Sequence, residues 1–237
     1  MKAVKIFLVL IFIFNFTEIN AQQNSQAETL FPKKEILHLR CTNLVSNESY
    51  DYKKTMVDTV DGEIPLFLIT TKYANSTAIL KAQKPGFAPL HFSKMDSVGN
   101  VVKMISYSKD RALFVDYKNK NEQSIKINKD TYNKSALTYL FRKALFFEKR
   151  KEINFNLIME TDHWGLQRIK MYAKIVGEEN IATQNGFSPC FKIQLGVAGM
   201  IGELFWRNKY YYYFLKDKPH YFVKYSEPEK EKIELLD

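Results

Sequence analysis

The sequence predicts a mainly β protein: a single domain with a long curved antiparallel sheet, or an open or closed β-barrel, wrapped around one amphipathic helix at about residues 134–146. Three observations predict it. Apolar residues recur at every second position through most of the chain, as half-buried strands require. Glycine-containing turn pairs fall between these runs at short intervals. One segment alone breaks that rhythm, and its apolar residues recur at the three-four spacing of a helix.

Residues 1–21 stand apart from this pattern. Lys2 and Lys5 precede the apolar run Ile6–Phe14, and a polar stretch closes at Ala21 before Gln22. That is the layout of a secretory signal peptide, although Ile19 stands where a smaller residue usually precedes the cut. The run is shorter than the roughly 20 apolar residues that span a bilayer. Cys41, the first cysteine, lies too far downstream to serve as a lipoprotein anchor. No later stretch is apolar enough for a transmembrane anchor. The expected product is exported, periplasmic or secreted, soluble and not a lipoprotein. Residues 22–33 read as a flexible N-terminal arm, and 34–237 as the single β-rich domain.

Composition supports a packed core, because 46% of the residues are hydrophobic and 14% aromatic, too many for a disordered chain. Formal charge is +9; loss of Lys2, Lys5 and Glu18 with the first segment leaves +8. Such an excess draws a protein toward anionic surfaces. The lysines are dispersed, however, with Lys33–Lys34, Lys53–Lys54 and Arg150–Lys151 the densest groups, so a solvated basic surface is the simpler reading. Without a recognisable binding motif, nucleic acid is not an expected partner.

The strand pattern begins with Leu37, Leu39 and Cys41. A continuous run follows at Ile64–Ile69. Clean alternation returns at Ile153, Phe155, Leu157 and Met159, at Ile169, Met171, Ala173 and Ile175, and at Phe191, Ile193, Leu195 and Val197. Asp61–Gly62, Pro85–Gly86, Gly99–Asn100 and Asn185–Gly186 separate such runs as hairpin turns do, which makes neighbouring strands antiparallel. Between the two β-rich halves, Leu137, Leu140, Phe141, Ala144 and Leu145 mark the helix. Asn133 or Ser135 can cap its start, while Arg142 and Lys143 suit the negative end of its dipole. A lone helix beside a long sheet buries its apolar face most economically if the sheet curls around it.

Cys41 and Cys190 are the only cysteines. Export permits a disulfide between them, and two buried free thiols are an equal alternative. Catalytic signatures are absent: there is no Gly-x-Ser-x-Gly elbow, no His-Glu-x-x-His and no phosphate-cradling Gly-Lys-Ser/Thr loop. Gly196, Gly199 and Gly202 have the wrong spacing for a dinucleotide fingerprint and read as a loop. His38, His91, His163 and His220 form no paired ligand motif, so neither a metal nor a cofactor is expected. Asp162–Gly165 reads as a hairpin tip. Glu178–Glu179 reads as a solvated turn between Gly177 and Asn180.

The aromatic run Phe205, Trp206 and Tyr210–Phe214 is the most unusual stretch. In a strand, Tyr210, Tyr212 and Phe214 share one face, and Tyr211, Tyr213 and Leu215 the other. Both faces are then aromatic. Either something covers the second face, or it lines a cavity or meets a partner; cross-strand aromatic pairing on an exposed face is the structural alternative.

The helix Ala136–Arg142, Val176-Gly-Glu178, Asn185-Gly-Phe187 leading into Phe191–Ile193, then an aromatic strand followed by Asp217-Lys-Pro219 and Val223-Lys-Tyr225, carry a family resemblance. Over roughly residues 135–235 the chain resembles the bacterial exported-protein family known as domain of unknown function 3108. Tyr213–Lys216 departs from the Trp-containing strand of that family. The resemblance implies a periplasmic, mostly antiparallel β protein and supplies no catalytic residues.

Together these features lead to an exported, non-enzymatic cell-envelope protein that binds an apolar or amphipathic, lipid-like ligand within a curved sheet, with the helix as plug or lid. The candidate contacts are Leu140, Phe141 and Phe146 on the helix, Met200 and Ile201 in the glycine loop, and Trp206 and Tyr212. The alternative is an assembly factor that meets an envelope protein partner through an exposed aromatic strand and basic surface, with no internal ligand.

Overall fold

Strand pairing follows chain order almost throughout. A computed structural model describes residues 31–84, 86–161, 165–184, 186–199 and 209–236. Its first half is a meander of β1 (Lys34–Asn43), β2 (Ser49–Asp61), β3 (Ile64–Tyr73), β4 (Ser76–Gln83), β5 (Ala88–Asp96), β6 (Val101–Tyr107), β7 (Arg111–Asp116) and β8 (Asn121–Lys126). The second half is β9 (Thr131–Asn133), a helical segment, β10 (Glu152–Thr161), β11 (Gly165–Thr183), β12 (Gly186–Val197), β13 (Tyr210–Leu215), β14 (Phe222–Glu227) and β15 (Glu231–Leu235). Pairing of β1 with β15 joins the halves into one 15-stranded sheet that runs from β8 at one edge to β9 at the other. The antiparallel pattern expected from the turns holds for every pair but one. β9 and β10 are parallel, and the helical segment is the crossover that a parallel pair requires.

That segment changes its hydrogen-bonding repeat twice. A 3-10 turn at Lys134–Ala136 leads into α1 (Leu137–Phe141), and a π turn at Arg142–Phe147 ends it. Asn133 is the cap: its side chain accepts a bond of 2.9 Å from the Ser135 amide. Leu137, Leu140, Phe141, Ala144 and Leu145 pack against Phe155, Met171, Ile193 and Phe214 of the second half. Ala136 and Tyr139 face the other way, onto Met56, Phe67, Ile69 and Leu80 of the first half. The helix is therefore enclosed from both sides, as the sequence suggested.

Curling continues past the point of closure. Ile158 and Leu166, on the face of β10–β11 turned away from the helix, pack on Ile105, Ala112 and Phe114 of β6–β7. The sheet's two ends thus lie as overlapping layers, like a rolled page, and not edge to edge. Side chains bridge the overlap: Lys103 pairs with Glu160, and the Asn133 amide donates to the Tyr107 hydroxyl at 3.0 Å.

Four sequence readings need correction, at Arg142, Glu178–Glu179, Gly196 and Phe31, and the cysteines resolve to one of their two alternatives. Arg142 does not serve an exposed helix end. It is 1% exposed and bonded at 2.6 and 3.2 Å to Glu35, itself 6% exposed. The π turn rotates it inward, where Phe31, Tyr139 and Tyr221 surround the guanidinium with rings. Glu178 and Glu179 lie inside β11, beyond a bulge at Ile175/Gly177, and pair with Lys216 and Lys192. Gly196 is a strand residue whose missing side chain leaves room for Tyr172, since a Cβ there would meet that ring at 2.7 Å. Of the two alternatives for the cysteines, both are buried free thiols. Three strands separate β1 from β12, each a step of ~4.8 Å, so no bridge can form. Burial raises both thiols to about 11. Phe31, assigned from the sequence to the arm, is 7% exposed and stacks among Phe67, Phe87 and Tyr139.

Both faces of the aromatic strand are covered. Tyr212 meets Phe141 edge-on at 5.1 Å inside the curl. Outside it, Tyr213 is 5% exposed beneath Ile181, Cys190 and Val223, and the Lys192 ammonium lies 4.6 Å from the Tyr211 ring centre.

Two expectations follow from the buried charges. Glu35→Gln strands the Arg142 guanidinium in the core, where a buried unpaired charge costs about 3–5 kcal/mol. The double replacement Glu35→Leu with Arg142→Met removes both charges and is expected to recover most of that loss in urea unfolding. A single variant within about 1 kcal/mol of the parent would show that the pair is not structural. The second expectation concerns Lys54, which bonds Thr138 at 3.0 Å. Burial pushes its ammonium down to about 8, against a smaller upward pull from Glu35. Below pH 8 folded and unfolded chains both hold the proton, and the burial cost is fully present. As pH rises the folded chain releases it first, so this contribution improves until the unfolded lysine deprotonates near 10.5. Lys54→Met should therefore stabilise at pH 7 by up to about 3 kcal/mol, with the gain vanishing by pH 10–11. Parallel stability–pH curves for parent and variant would contradict this.

Candidate functional site

Where the overlapping layers part, a cleft of about 560 Å³ opens. Its position follows from strand parity. On β5 and β6 the concave face carries Phe92 and Lys94, opposite Ile105 and Lys103 in register. The facing wall is β10, with Ile158 and Glu160, and the helix entry supplies Asn133, Lys134 and Ser135. The β3–β4 turn and Tyr50 complete the rim.

The cleft has an apolar depth and a charged edge. Ile105, Phe114 and Ile158 are nearly devoid of solvent contact, with Phe92 beside them. Nearer solvent, Tyr52 stacks on Tyr73 at 5.2 Å, and Tyr50 leans on both with half its surface exposed. Burial shifts Tyr73 upward, so it is a neutral hydroxyl at physiological pH. Lys103 is anchored: it pairs with Glu160 and stands 3.7 Å from Asp116. Burial pulls its ammonium down, but the bond and charge of Glu160, with Asp116 behind, leave it above its usual value. Lys94 and Lys134 are exposed, and among the described residues neither joins an ion pair. This arrangement can hold a molecule by burial and charge. Among the described residues no three His, Cys, Asp or Glu side chains converge as a metal site.

The residues proposed from sequence lie elsewhere. Leu140 and Phe141 are buried in the core between the helix and the second half of the sheet. Phe146 and Tyr212 join the same cluster, Phe146 stacked on Phe191 at 5.0 Å. The structure brings these four together as packing, and none of them lines the cleft. Met200, Ile201 and Trp206 fall outside the described residues, as do Pro85, Asp162–Trp164, Asn185 and the segment read as a signal peptide. The cleft residues carried one usable signal, the lysines at alternate positions with apolar neighbours. Only the register shows that Lys94 and Lys103 share the concave face.

One wall depends on a side chain acting as backbone. Among the described residues β12 pairs with β11 no further than Met171, with Ala198 donating to the Lys170 carbonyl at 2.8 Å, and the place beside Leu166 is met by a side chain. Gln123 of β8 fills the place, accepting from the Leu166 amide at 2.7 Å and donating to its carbonyl at 3.1 Å. Gly165 permits this approach: its φ is +64°, and a Cβ there would sit 2.4 Å from the Gln123 oxygen. Arg168 adds a bond of 3.0 Å to the Lys126 carbonyl.

Comparison with known proteins identifies no family. No family model matches the chain, and no curated protein matches it. Two solved structures are similar in outline. The hypothetical lipoprotein YmcC from Escherichia coli aligns over 95% of this chain and 94% of its own, at 7% identity and a TM-score of 0.36. A DUF1329 family protein from Desulfovibrio piger aligns over 93% and 89%, at 9% identity and a TM-score of 0.27. The resemblance to domain of unknown function 3108 has no family match behind it. The architecture rests on the chain's own strand order. Among the described residues no helix is long and apolar enough to cross a membrane.

Gln123→Ala is expected to deprive Leu166 of its acceptor and donor together. Amide exchange at Leu166 should accelerate at least ten-fold, while global stability falls by about 1–2 kcal/mol. Unchanged exchange at Leu166 would mean that the overlap is held without this side chain.

Proposed function

We propose that the chain is an exported, non-enzymatic binding protein of the bacterial cell envelope that holds an amphipathic ligand in the cleft between the overlapping ends of its sheet. The observation that carries this reading is the cleft itself. It has the volume of a small-molecule site, an apolar depth and a few polar groups at the edge. The signal-like segment 1–21 supports export, and the resemblance over residues 135–235 supports an envelope role. The helix acts as the strut around which the sheet rolls, and the ligand lies beside it near the helix entry. The reading as an assembly factor drew on an exposed aromatic strand and a basic surface, and burial of Tyr213 with partial cover of Tyr211 weakens the first of these motives.

Native mass spectrometry of protein exported and purified from a bacterial periplasm tests the proposal. Ser76 lies on the cleft wall at the start of β4, and Ser76→Trp should narrow the cleft without touching the core. The parent is expected to carry a co-purifying small molecule, and the variant to lose most of it while keeping the parent's circular dichroism. Equal ligand content in both proteins, or none in the parent, would defeat the reading.

A further inference from the structure

The charges around the cleft narrow the class of ligand, on the reading that the cleft is a binding site. Lys94 stands directly across the β5–β6 ladder from Lys103, both on the concave face. Like charges in such a pair repel and are costly unless answered. Glu160 and Asp116 answer Lys103 alone. Lys94 and Lys134 remain as uncompensated ammonium groups on the edge of the same cleft, so its lining carries three lysines against a single glutamate. Inside that edge the open apolar surface comes from Phe92 and the rings of Tyr50 and Tyr73, over a floor closed by Ile105, Phe114 and Ile158.

We propose that the ligand is an anionic amphiphile: an alkyl chain laid along Phe92, Tyr50 and Tyr73 over the closed floor of the cleft, with a carboxylate or phosphate head received by Lys94 and Lys134. Lys103 keeps its structural partner and holds β6 against β10. A neutral amphiphile would cover the same surface and leave the two lysines repelling Lys103. A free anion would satisfy the lysines and leave the apolar surface bare. The combination of both features selects a molecule that carries both.

Calorimetric titration of the mature chain with dodecyl probes below their micellar concentrations tests this. Dodecanoate and dodecyl phosphate supply the two anionic heads, dodecyl maltoside a neutral one, dodecyltrimethylammonium a cationic one, and inorganic phosphate the head alone. Both anions are expected to bind at least ten-fold tighter than the neutral and cationic probes. The double variant Lys94→Gln with Lys134→Gln changes only exposed groups and should bring the anions to the neutral level. Lys118→Gln with Lys120→Gln, in the β7–β8 turn, lowers net charge equally and should leave the anions' affinity unchanged. Equal binding of anionic and neutral probes by the parent would overturn the anionic head while sparing the cleft. Binding of inorganic phosphate as tightly as dodecyl phosphate, unaffected by Ser76→Trp, would overturn the amphiphile. Absence of binding by every dodecyl probe would overturn both the inference and the function it rests on.

Discussion

Arg142 and Glu35 meet where the helix, the first strand and the N-terminal segment converge, and the assembly of the sheet turns on that contact. An apolar helix face alone would slide and rotate within a rolled sheet with little penalty. A bidentate ion pair in a dry interior tolerates no such freedom, because a displacement that breaks it strands two charges. The pair therefore fixes the helix against β1 in both rotation and height. The rings of Phe31, Tyr139 and Tyr221 close around the guanidinium and complete its shielding. Lys54, bonded to Thr138, adds a second polar tie from β2 to the same helix.

Once the helix is fixed, the strand count forces the overlap. Fifteen strands are more than one short helix can occupy, so the sheet runs on past closure and lays β5–β8 against β9–β11. This solves the edge problem common to open sheets. One edge is the three-residue β9, packed against β5, and the other, β8, spends Gln123 and a carbonyl on β11. The overlap also creates the cleft. Two layers that diverge from a common contact leave a wedge between them, and its depth inherits their apolar faces.

Local chemistry wrote most of the fold legibly into the sequence. Period-two runs marked the long strands. Asp61–Gly62 and Gly99–Asn100 marked turns where Gly62 and Gly99 adopt positive φ. The three-four spacing of Leu137 to Leu145 located the helix to within a residue or two. What failed was local reasoning about long-range partners. Arg142 reads as a helix-end cation until Glu35, more than a hundred residues away, is known to face it. Glu178 and Glu179 read as a turn because a bulge beside Gly177 mimics turn composition. The aromatic strand was recognised as two-faced, yet its cover comes from β11, β12 and β14. The candidate site was the least legible part. Hydrophobic residues with helical spacing attracted attention, and those are the ones that a well-packed core consumes.

That difference bears on how a rolled sheet can bind anything. Among the described residues the helix is closely packed: Leu140 and Phe141 are buried, Phe146 and Tyr212 pack against the same cluster, and opening a cavity there would cost several kcal/mol per large side chain removed. A ligand among them would compete with the packing that holds the fold. The wedge between the layers imposes no such competition, because its walls are already complete without an occupant. Its lysines also make sense only there. A cation inside the core must be paired, as Arg142 is, whereas Lys94 and Lys134 can remain solvated at the cleft's edge until an anion arrives. Among the described residues, unpaired positive charge at Lys94 and Lys134 stands beside accessible apolar surface at Phe92, Tyr50 and Tyr73 where the two layers part, and that coincidence marks the cleft.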